Sequence, residues 1–243
     1  MSAATWADEL LDTVDPRPGE RVLDIASGTD VVARRAVDRV LPGGTVAEWR
    51  EREASSLPFA TASFDVVVCQ QRLQLLPDRG RTLSEVRRVL APGGRVGVSV
   101  WGPIERSPAF AALADALERH AGVRTASAVR WLFSLSEADD LRALLADADL
   151  ARIRVRTARR TTRFASVAAF LHRYDPGPVA GPWIEPMSEQ GRRRVVSDLE
   201  AGLAPWIDGG GLMVTTEVNI GVARHLPDLL ESGPVRSRQS FAS

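Results

Sequence analysis

At 243 residues and 44% hydrophobic, the chain can bury one substantial core, or one core with a small cap. Its 31 basic and 31 acidic side chains cancel, which excludes the single-sign field that nucleic acid or an anionic membrane surface attracts, and removes the repulsion that opposes self-association. Cys69 is the only cysteine, so no intrachain disulfide forms, and its apolar surroundings predict a buried thiol. No uncharged apolar run approaches the ~18 residues of a membrane span, and the N-terminus lacks a basic region followed by an apolar one. The expected location is the cytoplasm.

Residues 5–14 predict a short amphipathic helix ending before Pro16 and Pro18. Arg21–Ala26 predicts a first strand and Val31–Val40 a first helix, closed by Leu41-Pro42-Gly43-Gly44, where proline cannot extend the ladder and glycine accepts a left-handed backbone. Thr45–Arg50 predicts a short strand and Phe64–Cys69 a fully buried one. A helix over Arg81–Leu90 stops at Ala91-Pro92-Gly93-Gly94, and Arg95–Trp101 is the next strand. Phe110, Leu113, Ala114 and Leu117 mark another helix, and Ser136, three before Asp139, is expected to open one more. Arg154–Arg160 alternates like a half-solvated strand and reads as a plain exposed face. Helices at 166–174 and 187–204, separated by Pro- and Gly-rich segments, precede a strand over Leu212–Ala223. The alternation of strands and helices predicts an α/β fold, a mostly parallel sheet covered on both sides. Helices about 161–210 form an expected cap, residues 1–231 one domain, and 232–243 a loose tail.

The segment Val22-Leu23-Asp24-Ile25-Ala26-Ser27-Gly28-Thr29-Asp30 runs from an apolar strand through a tight turn into a helix. Open α/β sheets hold nucleotides at such turns, where small residues let backbone approach a ligand. Gln70 and Gln71, ending the buried 64–69 strand, lie at the same end of the sheet. Trp101 suits either an aromatic floor or core filling, and Trp131, Trp183 and Trp206 either line the cap or build its core. His172, beside Tyr174, is the candidate base, weighed against a packing or surface role; His120 and His225 are weaker candidates. No cluster has metal-ligand spacing, so no metal is expected, and no nucleophile motif is present.

These segments, with Ser56-Leu57-Pro58-Phe59, Ser63-Phe64-Asp65-Val66-Val67-Val68-Cys69-Gln70-Gln71 and Glu85-Val86-Arg87-Arg88-Val89-Leu90-Ala91-Pro92-Gly93-Gly94 in order, resemble the class I S-adenosylmethionine-dependent methyltransferases. The similarity lies with the small-molecule branch called type 11 or ubiquinone/menaquinone-biosynthesis-like, and covers about residues 15–160. It implies a Rossmann-like sheet, S-adenosyl-L-methionine as cofactor and a small, apolar or aromatic acceptor. Methyl transfer from a sulfonium needs mainly proximity and a dry pocket.

By position, the resemblance assigns Asp24, Ala26, Ser27, Gly28 and Thr29 to the cofactor turn, Glu48 to the ribose, Glu53 and Ala54 to the adenine side, and Gln70 and Gln71 to the pocket wall. Asp30 departs from the family's glycine, and Arg50 stands where the ribose-binding acid belongs. The space between Gly28 and Glu53 is too short for two crossovers of a dozen or more residues each. The resemblance therefore implies a sheet one strand–helix unit short, with Thr45–Arg50 at an edge where a second copy pairs as a homodimer. A degenerate relative that binds a partner and turns over no cofactor is the alternative.

Overall fold

The computed structural model describes residues 2–25, 31–49, 54–174 and 187–227. Its elements are α1 (Ser2–Val14), β1 (Arg21–Ile25), α2 (Val31–Val40), β2 (Thr45–Trp49), β3 (Phe64–Gln70), α3 (Arg79–Val89), β4 (Leu90–Trp101) and α4 (Pro108–Ala121). They continue with α5 (Val123–Trp131), α6 (Ala138–Asp147), β5 (Ala151–Phe164), α7 (Val167–Tyr174), α8 (Glu189–Gly202), β6 (Ile207–Asp208) and β7 (Gly211–Arg224). All strands join one sheet in the order β2-β1-β3-β4-β7-β5, with β6 paired to β7. The neighbours from β2 to β4 are parallel, and β7 runs antiparallel to both β4 and β5. The mostly parallel α/β sheet expected from the sequence is present, with β7 as the reversed strand.

The apolar runs are continuous because both faces are covered. Val22, Val66 and Val68 belong to one core with α1, α2, α4, α5, α7 and α8, whereas Leu23, Ile25, Val67 and Cys69 face the core built with α3 and α6. Helix α1 approaches β4 closely because Gly97 has no side chain: a Cβ there would lie 2.9 Å from Cβ of Val14 and 3.2 Å from Cδ1 of Leu10. Such a distance is shorter than packed carbons tolerate. The helices of the expected cap insert share a core with the sheet, since Phe170, Val195 and Leu199 cluster with Val218 and Ile220. The strands also reach into the expected cap: β5 extends to Phe164 and β6 begins at Ile207.

Several boundaries differ from expectation for identifiable reasons. Helix α3 starts at Arg79 because the Asp78 side chain caps it, accepting from the Arg81 amide at 2.8 Å. Ala91-Pro92-Gly93-Gly94 is a bulge within β4 and not a break before it, since Leu90 pairs with Phe64 and Arg95 with Val66. Ser136 does not cap α6. Glu137 is the residue before the helix, and the Ser136 carbonyl accepts from Asn219 Nδ2 at 2.6 Å. Helix α5, with no counterpart in the sequence reading, starts after Gly122, whose φ of 84° favours glycine.

Candidate functional site

The C-terminal ends of parallel strands are where open α/β sheets place ligands. At that end Asp24 of β1 is in register with Glu48 of β2 on one side and Val68 of β3 on the other. Register partners share a face, so the two side chains leave the sheet on the face of Val22 and Val68, from neighbouring backbones one strand spacing of ~4.8 Å apart. Asp24 is only 1% exposed, and Glu48 is half-buried. Asp24 precedes the segment 26–30 and Glu48 the segment 50–53; Ala26, Ser27, Gly28, Thr29 and Asp30 lie outside the described residues, as do Arg50 and Glu53.

Cys69 points to the opposite face and is buried. Burial and the Asp24 charge push its thiol up to about 12. The sulfur therefore stays protonated at neutral pH and is no nucleophile. Next to it, Gln70 ends β3 half-buried, in register with Ser99 of β4. Gln71 turns the chain out of the sheet with φ 51°, its amide donating to the Ser99 carbonyl at 2.7 Å. The Nε2 atom of Gln71, the Oγ atom of Ser99 and the Nε1 atom of Trp49 are buried without a hydrogen-bond partner.

Trp49, the last residue of β2, meets Phe59 edge-on with ring centroids 6.0 Å apart, and Phe59 meets Phe64 at 5.0 Å. These rings pack on the opposite face of the sheet from Asp24 and Glu48, with Ile25 and Cys69. Ala54 lies deep in the same cluster, packed among Leu23, Ile25 and Leu57, so its described role is to fill core beside the site. Leu57–Phe59 is held in place by α3. The Glu85 carboxylate accepts from the Leu57 amide at 2.8 Å, while Arg88 donates to the carbonyls of Phe59 at 2.8 Å and Leu57 at 3.0 Å. The hydrogen bonds from Arg88 hold the Glu85 carboxyl below the usual carboxylate range.

Residues past β3 add a group that the sequence reading did not single out. Gln74, in a short 3-10 turn over Leu73–Leu75, is 1% exposed, and neither its Oε1 nor its Nε2 has a partner. Its main-chain carbonyl accepts from Arg79 at 2.8 Å and from Ser134 at 3.1 Å, which fixes the turn. A glutamine between two leucines gives no signal of burial in the sequence.

Trp101, at the end of β4, belongs to a packed aromatic group. Its ring centroid lies 5.7 Å from Phe110, 6.0 Å from Phe133 and 6.3 Å from Tyr174, and Phe164 and Phe170 complete the group. Of the two roles left open for Trp101, core filling describes it, with half-buried Tyr174 on the outside. Trp131 and Trp206 build no core, being 47% and 37% exposed, and Trp183 lies outside the described residues.

His172 is exposed on α7 and makes no hydrogen bond among the described residues, so the structure brings it to no acid or strand end. His120 bonds Asp198 at 2.9 Å between α4 and α8, and His225 bonds the Leu90 carbonyl at 2.9 Å, giving both a packing role. Among the described residues no group of histidine, cysteine and acids is placed to hold a metal ion, and no helix is long and apolar enough to cross a membrane.

Residues 20–98 match the methyltransferase domain family. The chain is 38% identical over 121 residues to the demethylmenaquinone methyltransferase of Beutenbergia cavernae, a match covering 41% of this chain and 50% of that protein. It is 35% identical over 122 residues to the nocamycin O-methyltransferase of Saccharothrix syringae, covering 40% and 43%. The chain thus spans about half the length of the curated relatives it matches. Among solved structures, phosphoethanolamine N-methyltransferase 2 of Haemonchus contortus, in complex with phosphomonomethylethanolamine and S-adenosylhomocysteine, superposes with a TM-score of 0.53 at 17% identity, over 92% of this chain and 53% of that one. A protein of Bacillus halodurans C-125 gives 0.58 at 13% identity, over 92% and 100%. At these identities the superpositions establish a shared fold.

Proposed function

We propose that this chain, a class I methyltransferase by its domain match over residues 20–98 and its sheet, transfers a methyl group from S-adenosyl-L-methionine to a small apolar or aromatic metabolite. One observation carries the reading: Asp24 and Glu48 stand in register at the ligand end of β1 and β2, and β1 leads into the small-residue segment 26–29. A carboxylate pair there suits an ammonium group and ribose hydroxyls, which such acids accept as charge-assisted hydrogen bonds. The unpartnered buried atoms of Gln71 and Ser99, at the same end of the sheet, fit a polar ligand, because leaving such groups unpaired is costly.

In this reading the backbone of Ala26, Ser27, Gly28 and Thr29 approaches the cofactor, Asp24 faces its ammonium group, Glu48 holds the ribose, and Glu53 and Ala54 bound the adenine side. Gln70 and Gln71 line the wall toward the acceptor. The cofactor supplies an electrophilic methyl group on a sulfonium. The protein's own part is to orient both partners and exclude water. His172 is kept as the base of this proposal only for an acceptor that reaches α7.

The single helix between β1 and β2, and the position of β2 at the end of the strand order, support the reading of one missing strand–helix unit. The open hydrogen-bonding edge of β2 supports pairing of two copies there, which light scattering tests. The function itself is tested by calorimetric titration with S-adenosyl-L-methionine, followed by transfer of labelled methyl to a panel of phenols, quinols and alcohols. Saturable binding with transfer is the expected result. Folded protein that binds no cofactor would instead leave a partner-binding relative.

A further inference from the structure

Every basic side chain in this sequence is an arginine; there is no lysine. Six of them, Arg17, Arg95, Arg152, Arg154, Arg156 and Arg224, line a groove of about 760 Å³ whose acids are Asp15 and Glu20. The sequence alone suggested a plain exposed face for the arginines of β5. The structure gathers them, with arginines from β4, β7 and the segment between α1 and β1, around one concavity.

The topology explains the convergence. Arg95 of β4 is in register with Arg224 of β7, and Arg224 with Ala151 of β5. Between Ala151 and Arg154 the β5 register shifts, and Arg152 there adopts a φ of 52°, a left-handed conformation that arginine seldom takes. Asp15, across the groove, has a φ of 54°. The groove lies at the end of the sheet away from Asp24 and Glu48: Arg95 and Trp101 are six residues apart on β4, ~20 Å at strand rise.

Four of the six guanidiniums are already engaged. Arg95 is buried and donates to the Val14 carbonyl at 2.6 Å and to Glu20 at 2.7 and 2.8 Å, which fastens the end of α1 to the sheet. Arg17 pairs with Asp15 at 3.1 Å and Arg156 with Glu9 at 2.6 Å. Arg224 makes one bond, to the Gly93 carbonyl at 3.1 Å. Arg152 and Arg154 are exposed and make no ion pair or hydrogen bond among the described residues.

We propose that this groove is a binding site for a small multivalent phosphate compound, gripped by Arg152, Arg154 and Arg224 over a floor set by Arg95. The guanidinium fork matches phosphate oxygens in pairs, which a point charge does not. The volume is that of a small-molecule pocket. A small anion fits better than nucleic acid because the chain is neutral overall and Asp15 and Glu20 interrupt the basic lining of the groove, which therefore offers no extended phosphate track. The inference stands independently of the methyltransferase reading, since it uses neither Asp24 nor Glu48.

The test is calorimetric titration of the full chain with inorganic triphosphate at 150 mM salt (~8 Å Debye length), with ATP and a 20-nucleotide single strand as parallel arms. One saturable site for triphosphate is expected, weakened at least tenfold in Arg152→Ala/Arg154→Ala and partly restored in Arg152→Lys/Arg154→Lys. Glu48→Ala should leave triphosphate binding unchanged. Equal affinity for ATP and triphosphate supports a site that reads phosphate alone; tighter ATP that still depends on Arg152 and Arg154 supports a nucleotide. Absence of saturable triphosphate binding overturns the proposal, as does unaltered affinity in the alanine variant while its melting temperature is unchanged. Tighter, arginine-dependent binding of the oligonucleotide overturns it in favour of a nucleic-acid surface.

Discussion

Glu85 and Arg88, one turn apart on α3, form an ion pair at 2.7 Å and together hold both the amide and the carbonyl of Leu57. This pair explains physically why the segments 56–59 and 85–94 occur together: the second supplies the side chains that fix the backbone of the first. It also sets Phe59 against Trp49 at the ligand end of β2.

Arg88→Ala removes hydrogen bonds to two carbonyls and one carboxylate, and should cost about 2 kcal/mol at the scale of charged hydrogen bonds. Urea denaturation of Glu85→Ala, Arg88→Ala and the double variant should show the two effects to be non-additive. Strict additivity would mean that the two side chains hold the loop independently.

Stability should fall in acid through Asp65 and Glu85. The hydrogen bonds from Arg21 hold the Asp65 carboxyl below its usual range against the opposing effect of burial, and Arg88 does the same for Glu85. Because both are lowered on folding, their contribution is complete above the ordinary carboxylate range near pH 4 and is lost as the pH drops through the lowered values. Asp65→Asn should reduce stability at pH 7 and flatten the acid limb of a denaturation series. An acid limb of unchanged slope would contradict this.

The thiol of Cys69, raised to about 12 and buried, should resist a thiol reagent at pH 8 in the folded protein. Full reaction is expected in denaturant. Rapid labelling of the native chain would place Cys69 at an accessible surface.

Gly97→Ala should destabilise the fold by about 1–3 kcal/mol, the usual range for overpacking a tight contact. The new methyl would meet Val14 at 2.9 Å. Thermal melts of Gly97→Ala against Gly93→Ala separate crowding from backbone preference, since Gly93 has φ 84° and nothing within 4 Å of its Cβ position.

The central strands were legible in the sequence because an apolar run buried on both faces needs no periodicity to be read, as at Val66–Cys69. The edges were harder. Arg154–Arg160 announced a half-solvated strand, but only pairing with β7 extends it over Ala151–Phe164. Exposed Trp131 and Trp206 looked like cap or core residues because ring size says nothing about which side of a helix faces solvent. At the candidate site, the places of Asp24, Gln70 and Gln71 at strand ends were readable from the sequence. The buried amide of Gln74 was not, because burial there comes from a turn fixed by the distant Arg79 and Ser134.

The most direct measurement is a calorimetric titration of S-adenosyl-L-methionine into the wild-type chain, Glu48→Ala and Gly28→Trp, each verified as folded by circular dichroism. Binding at the ends of β1 and β2 predicts saturable binding by the wild type. It further predicts at least a tenfold loss in Glu48→Ala, equivalent to about 1.4 kcal/mol, and no binding in Gly28→Trp, where bulk blocks backbone approach. Wild-type affinity retained in both variants would show that the cofactor, if bound, sits elsewhere, and would contradict the site described above.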